Sequence, residues 1–176
     1  MKDSVERILF CVPPYITFDS FVNPGFNERI MVKNSGTYGS IVADPPLGIL
    51  SLAAYLNKYV NVEISVLDFN LILNEVNTFN HNSFSRFFEE TLLKKNWFDF
   101  APTIVGITTL FTPSYINMLD LGTVVRQLYP DAWILAGGGV PTNMYEAIFN
   151  ATDSFDALCF GEGEKPLLEF VKAKKR

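Results

Sequence analysis

The stretch V-G-I-T-T-L-F-T-P-S-Y-I-N-M, residues 105–118, decides the fold of this chain. Residues 103–109 are β-branched and almost wholly apolar, which predicts a strand covered on both faces. Thr112 and Pro113 predict an N-cap and the first turn of a helix, and Ile116, Leu119, Thr123 and Val124 follow at helical spacing. The hydroxyl-rich loop between the two lies at the carboxyl end of the strand, where open α/β sheets bind ligands. A plain strand-to-helix turn with capping hydroxyls is the competing interpretation.

Strands and helices alternate along the chain on both sides of this stretch. Further strands are predicted at residues 7–12, 61–68, 132–136 and 156–160, and helices at 44–59, 83–92, 112–124, 141–150 and 166–171. The helix at 44–59 has little polar face and is expected to be well buried, and Ser83 is expected to cap the next one. The pattern predicts an α/β fold: a doubly wound, five-stranded parallel sheet in three α/β/α layers, Rossmann-like or flavodoxin-like, with strand order 2-1-3-4-5.

Residues 1–176 are expected to form a single domain with one long insertion. The insertion is a predicted loop at residues 15–43, directly after the first strand, and a loop of this length is usually functional or disordered. It contains the aromatic residues Phe18, Phe21, Phe26 and Tyr38. These side chains either cover a ligand or pack the loop onto the domain.

Composition and charge narrow the function classes. The net charge is -5, and the basic run at residues 172–176 is expected to be a solvated helix end, so a nucleic-acid partner is not expected. Cys11 and Cys159 lie in separate apolar runs and are predicted to be buried thiols in a reducing cytoplasm. No apolar run approaches the ~18 residues of a membrane span, and the N-terminus has no signal-peptide pattern. The expectation is a cytoplasmic protein without a membrane partner.

Small and hydroxyl-bearing residues converge on one edge of the predicted sheet. The loops after the first, third, fourth and fifth strands contain Pro13-Pro14, Thr108-Thr109, Gly137-Gly138-Gly139 and G-E-G-E at 161–164. A turn that needs positive φ explains any single glycine. Three in succession indicate that a bound group lies against the backbone.

Other proteins of this fold need different loops. A phosphoacceptor receiver needs an acidic cluster after the first strand, a flavodoxin needs a phosphate loop there, and a dinucleotide-binding fold needs G-x-G-x-x-G. Residues 11–15 of this chain, C-V-P-P-Y, fit none of these.

Four motifs carry a resemblance to cobalamin-binding domains. V-G-I-T-T-L-F-T-P-S resembles the third-strand loop of domains such as that of methionine synthase. P-P-L-G-I-L-S-L-A-A-Y-L, A-G-G-G-V-P-T and F-G-E-G-E-K-P-L-L-E resemble the cobalamin (vitamin B12)-binding domains that precede the radical S-adenosylmethionine (radical SAM) domain of cobalamin-dependent radical SAM enzymes. The resemblance runs from about residue 7 to residue 171, with the motifs in the family's order.

The resemblance implies that the corrin ring lies over the strand ends. The benzimidazole tail, displaced from cobalt, then enters a slot beside the third, fourth and fifth strands, and a side chain at Gly138 would fill that slot without disturbing the fold. The cofactor-binding residues expected on this basis are Pro13, Pro14, Thr108, Thr109, Leu110, Thr112, Gly137, Gly138, Gly139, Gly161, Glu162 and Gly163.

The sequence lacks the D-x-H-x-x-G motif with which the methionine-synthase group ligates cobalt. The one histidine, His81, precedes the Ser83 cap and is expected to be an exposed cap-region residue rather than a cobalt ligand. No metal-ligating residue and no catalytic residue is therefore assigned in this chain.

The resemblance implies a carrier of methylcobalamin or hydroxocobalamin that serves a radical SAM enzyme, often a methyltransferase. The chain has no C-x-x-x-C-x-x-C motif, so an iron–sulfur cluster and S-adenosylmethionine would belong to a radical SAM domain absent from this chain, acting in cis or in trans. The chain is then either a domain of a longer enzyme or a stand-alone carrier, and performs no turnover alone. The alternative is a cofactor-free, flavodoxin-like docking or scaffold domain.

Overall fold

The computed structural model describes residues 5–174. In chain order the elements are β1 (Glu6–Val12), α1 (Phe18–Val22), β2 (Ile30–Lys33), β3 (Gly36–Gly39), α2 (Leu47–Tyr59), β4 (Val62–Asp68), α3 (Phe69–Glu75), α4 (Phe84–Leu92), α5 (Lys95–Phe100), β5 (Ile104–Thr108), a 3₁₀ turn (Thr112–Ser114), α6 (Tyr115–Leu128), β6 (Trp133–Gly137), α7 (Gly139–Ala151), β7 (Ala157–Leu158) and α8 (Glu164–Lys174). Of the predicted basic run, Lys172 and Lys174 lie in the last turn of α8, and Lys175 and Arg176 lie outside the described residues.

Five strands form one parallel sheet in the order β4-β1-β5-β6-β7. Counted along the chain among these five strands, the order is 2-1-3-4-5. Helices α2 and α8 pack on one face, and α4, α6 and α7 pack on the other. The predicted fold class and strand order are confirmed.

Strand β1 shows why the sheet strands are continuous apolar runs. Successive side chains point to opposite faces, so Leu9 and Cys11 join one core while Ile8, Phe10 and Val12 join the other. All five are buried. A strand covered by helices on both faces needs apolar residues at every position, as predicted.

The segment predicted as a loop at residues 15–43 contains regular secondary structure, which the prediction missed. It forms α1 and the antiparallel hairpin of β2 and β3. Phe21 stacks on Tyr38 with ring centroids 4.9 Å apart, and Phe18 meets Phe84 of α4 edge to face. These aromatics pack the segment onto the domain, whereas Phe26 is fully exposed.

Helix α2 is less buried than predicted. Only Ile49 and Leu56 are buried, while Leu47 and Leu50 are exposed. The helix begins at Leu47 without a side-chain cap. The prediction failed because α2 lies in an outer layer, where one face meets the sheet and α8 and the rest meets solvent, although the exposed positions are apolar too.

The two predicted helix caps have different outcomes. The Ser83 hydroxyl accepts a hydrogen bond from the Arg86 amide at the start of α4, so that prediction is confirmed. Thr112 does not cap α6, because residues 112–114 form a 3₁₀ turn in which the Ser114 amide donates to the carbonyl of Phe111 instead. Helix α6 also turns a different face inward: Asn117, Met118, Leu121, Gly122, Val124 and Val125 are buried, and Ile116 is exposed.

Edge strand β7 has two residues, fewer than predicted, and side chains hold it in place. The Asp156 carboxylate accepts hydrogen bonds from the Ile134 amide at 2.7 Å and from Arg126 at 2.6 Å.

The short helices α1, α3 and α5 were not predicted, because five to seven residues carry little periodicity. Within residues 5–174, no helix has both the length and the apolar surface to cross a bilayer.

Candidate cofactor-binding site

A cavity of about 270 Å³ lies between the sheet and the helices α2 and α8, at the carboxyl ends of β5, β6 and β7. Its size is close to the lower end of the ~300–1,000 Å³ typical of small-molecule sites, and its walls are mostly apolar. The residues that line it and enter the argument are Phe10, Gly48, Ile49, Leu52, Gly106, Thr108, Leu110, Leu135, Gly137, Gly138, Ala157, Cys159, Gly161, Glu162, Gly163, Glu164, Leu167 and Phe170.

Two rows of residues, aligned across the parallel strands, form the sheet wall of the cavity. The deeper row is Phe10, Gly106, Leu135 and Ala157, and the row at the strand ends is Thr108, Gly137 and Cys159. Each row contains a glycine where its neighbours have side chains. The glycine in the strand-end row hollows the sheet face, so the covering helices leave a space there, whereas the Phe10 ring lies over the glycine in the deeper row.

The two glycines in these rows lack a side chain for different reasons. A Cβ atom at Gly106 would lie 2.7 Å from Cδ1 of Phe10, so the Phe10 ring already occupies the space above it. A Cβ atom at Gly137 would have only an ordinary contact, 3.5 Å from Cβ of Cys159. A larger side chain at 137 would therefore extend into the cavity.

Gly138 is required by its backbone. Its φ of 103° and ψ of -168° fall in a region that only glycine readily adopts, and a Cβ atom there would lie 2.6 Å from the carbonyl oxygen of Thr109. The expectation that a side chain at Gly138 would fill the slot without disturbing the fold is therefore wrong. At Gly139 a Cβ atom would likewise approach backbone, 3.1 Å from the carbonyl oxygen of Leu110.

The hydroxyl loop contributes one threonine to the cavity. Thr108 lines it, whereas Thr112 is exposed elsewhere. Thr109 is fully buried, and its hydroxyl has no hydrogen-bond partner among the described residues. Its backbone joins the loops after β5 and β6, because its amide donates to Gly137 and its carbonyl accepts from Val140.

Pro13 and Pro14 are buried and do not line the cavity. Their carbonyl oxygens accept hydrogen bonds from two buried amide side chains, Asn70 at 3.1 Å and Asn117 at 2.9 Å. Asn117 also donates to the carbonyl of Ile16 at 2.8 Å. Neither asparagine was predicted from the sequence; the signal for Asn117 was an amide beside Met118 in an otherwise apolar stripe of α6.

We expect Asn117→Ala to lower the free energy of unfolding by about 2–4 kcal/mol, because two carbonyls lose their donor and a small void remains. Urea denaturation followed by far-UV circular dichroism measures this. Asn143→Ala is the matched control, since that exposed amide donates to one carbonyl within its own helix, Gly139. Equal effects from the two substitutions would contradict the role given to Asn117.

The rim of the cavity is formed by residues 161–164, at the start of α8. Gly161 has a φ of 72° and open space where a Cβ would lie, while a Cβ at Gly163 would approach the Leu52 side chain at 3.1 Å. The Ser51 hydroxyl donates to the Glu164 carboxylate at 2.9 Å. This hydrogen bond joins α2 to α8 beside the opening.

Cys159 is not the buried structural thiol that its apolar neighbours predicted. It is partly exposed and lines the cavity, whereas Cys11 is fully buried, as predicted. Burial, and next the Glu164 carboxylate, raise the pKa of the Cys159 thiol. At neutral pH the cavity therefore presents a neutral, weakly polar thiol here rather than a thiolate.

His81 lies away from the cavity. Its ring packs against those of Phe79 and Phe87, and Nδ1 is 3.6 Å from the Glu90 carboxylate. The side chain is only 19% exposed, so the predicted exposed position is wrong: the aromatic cluster that anchors the insertion also covers this histidine. Among residues 5–174, no three side chains of His, Cys, Asp or Glu lie together as a possible metal site.

The cavity fits a flat, largely apolar ring. Leu52 and Leu167 form the helix wall, opposite the hollow at Gly137. Thr108 supplies a hydroxyl at the entrance, which is the kind of donor that a ring nitrogen needs. This donor and the missing Cβ atom at Gly137 therefore suit the nucleotide base of cobalamin.

The comparisons with known proteins agree with this geometry. The B12 binding domain family matches residues 42–171, from just before α2 into α8. This match covers more than half of the 176 residues. The comparison with curated proteins found no match. The chain belongs to the B12 binding domain family.

Proposed function

We propose that this domain binds cobalamin, with the corrin ring over the strand ends and the nucleotide base in the cavity. The observation that carries the proposal is the cavity at Gly137, beneath α2 and α8, where the sheet lacks a side chain. A domain that only docks to another protein has no use for this space, because a void in a packed layer forfeits dispersion contacts and stability. A cofactor-free scaffold is therefore the less favoured alternative.

Each part of the cavity has a distinct role in this proposal. The Thr108 hydroxyl donates to a ring nitrogen of the base, and Leu52 and Leu167 cover one ring face. Gly161 and Glu162 form part of the rim. Bound cobalamin would supply alkyl-cobalt chemistry, while these residues hold it and keep water from its tail.

We also propose that the domain works with a radical SAM domain, in cis or in trans, in a B12-dependent enzyme such as a methyltransferase. The iron–sulfur cluster and S-adenosylmethionine would belong to that domain. Support comes from the motifs P-P-L-G-I-L-S-L-A-A-Y-L and F-G-E-G-E-K-P-L-L-E and from exposed apolar residues in the loops after β5 and β7: Leu110, Phe111 and Phe160. Exposed apolar side chains at the strand ends suit a large apolar ring and a covering partner.

The direct test is to incubate the purified chain with hydroxocobalamin, remove free cofactor by desalting and record the visible spectrum. We expect about one equivalent of corrin absorption to remain with the protein. Cobinamide, which has the corrin ring but no nucleotide tail, is the control, and we expect it to bind at least ~100-fold more weakly because the apolar cavity stays empty. A protein fraction without corrin absorption would contradict the proposal.

The position of His81 leads to a second expectation. His81→Ala should leave the spectrum and the affinity of bound cobalamin unchanged, because the ring is engaged with Phe79, Phe87 and Glu90 rather than with the cavity. A small loss of stability, about 1 kcal/mol, is expected from the lost ring contacts. Visible spectroscopy of the reconstituted variant checks this, and a displaced absorption maximum would show that His81 reaches cobalt.

A further inference from the structure

The closed end of the cavity differs chemically from its entrance. Of the described residues that line it, those with polar side chains are Thr108, Cys159, Glu162 and Glu164. They lie at the strand ends, in the loop that follows β7 or, for Glu164, at the first residue of α8. The hydrogen-bonding side chains of the cavity are thus confined to its entrance.

The deeper row of sheet residues is entirely apolar. Gly106, Leu135 and Ala157 each precede an entrance-row residue by two positions in the chain, which is about 6.6 Å along the sheet, and Phe10 pairs with Gly106 in register. The Phe10 ring fills the space that a side chain at Gly106 would need, since a Cβ there would lie 2.7 Å from the ring. Phe10 is itself buried, so this floor is fixed by packing.

We propose that this Phe10–Gly106 floor makes the domain select corrinoids whose tail base has a hydrocarbon edge, such as dimethylbenzimidazole, over corrinoids with a purine tail. The inference rests on the proposed function. The base enters with its far edge against Phe10 and Leu135, where methyl groups are buried favourably. The amine and ring nitrogens of adenine would lose water there and find no side-chain partner.

The test compares two corrinoids on the full chain: cobalamin and the otherwise identical cobamide with an adenine tail. We expect the adenine-tailed compound to bind roughly 10- to 100-fold more weakly in equilibrium titrations followed by visible absorbance. Affinities within a factor of about three would overturn the inference and leave the proposed function intact. Failure of cobalamin itself to bind would overturn both.

A first variant changes the polarity of the floor. Leu135→Gln keeps a similar volume but places an amide beside the far edge of the base, so we expect the ratio of the two affinities to fall about tenfold. Because Leu135 is only partly buried, the variant is expected to fold. An unchanged ratio in a folded variant would overturn the assignment of the floor.

A second variant changes the position of the floor. In Gly106→Ala the new methyl group pushes the Phe10 ring into the cavity, so cobalamin binding should weaken at least tenfold while cobinamide binding stays the same. Gly122→Ala is the matched control: its Cβ also meets a phenylalanine ring at 2.7 Å, that of Phe155 in the other core. Equal losses of cobalamin affinity in the two variants would show a general effect of strain and overturn the inference.

Discussion

Replacing Gly137 with leucine should reduce cobalamin affinity by at least about 100-fold. A Cβ at this position makes only an ordinary contact with Cys159, and the rest of the leucine extends into the cavity, in the volume assigned to the nucleotide base. Any base that remains bound must leave the cavity and its apolar contacts. Equilibrium titration with hydroxocobalamin, followed by absorbance, measures the loss.

The folded state should tolerate this change. Gly137 ends β6 without positive φ, and a leucine there fills empty space and restricts the unfolded chain, so the free energy of unfolding should stay the same or rise by about 1 kcal/mol. Gly137→Ala should give a smaller loss of affinity, and cobinamide should bind the wild-type chain and both variants equally. Wild-type cobalamin affinity in a folded Gly137→Leu protein would exclude this cavity as the tail site.

Replacing the next glycine, Gly138, should destabilise the fold, whereas the change at Gly137 should not. Gly138→Ala should lower the free energy of unfolding by about 3–5 kcal/mol, of which ~1–3 kcal/mol comes from the glycine-only backbone region. The remainder comes from the approach of Cβ to the Thr109 carbonyl oxygen, which already accepts the Val140 amide and cannot move freely. Urea denaturation of the apoprotein measures the loss without any cofactor.

Two other glycines separate the cost of the backbone conformation from the cost of the contact with Thr109. Gly161→Ala carries the strain of positive φ but has no atom within 4 Å of the new Cβ, so a cost of about 1 kcal/mol is expected. Gly48→Ala introduces neither positive-φ strain nor a close contact. Gly48 lies in α2, where alanine should raise the free energy of unfolding by ~0.5–1 kcal/mol. If Gly138→Ala were no more destabilising than Gly161→Ala, the contact with Thr109 would not matter.

The adjacent pair explains how a run of glycines can serve both fold and ligand. Gly137 leaves space on the sheet face, and Gly138 lets the chain turn from β6 into α7 against the loop after β5. A cofactor in the cavity would contact both loops at once. The arrangement places the cavity beside the turn at which Gly138 lies against the Thr109 carbonyl.

The sequence alone determined the sheet and much of its edge. Strands buried on both faces must be continuous apolar runs, and amphipathic helices must repeat every 3.6 residues, so local pattern was enough for the five strands and the Ser83 cap. The strand order followed from the few topologies that right-handed crossovers allow. It also directed attention to the strand-end loops, where Thr108, Leu110, Gly137, Gly138 and residues 161–163 line one cavity.

Only the tertiary structure decided what each of these residues does. Whether a missing Cβ would point at a cavity, as at Gly137, or at another loop's carbonyl, as at Gly138, depends on segments that are distant in the chain. The same holds for Asn117, whose partners lie about a hundred residues away, and for Phe10, which faces Gly106 across the strands. The residue pattern predicts local backbone conformation and burial, whereas side-chain direction and cross-strand register are set by packing between distant elements.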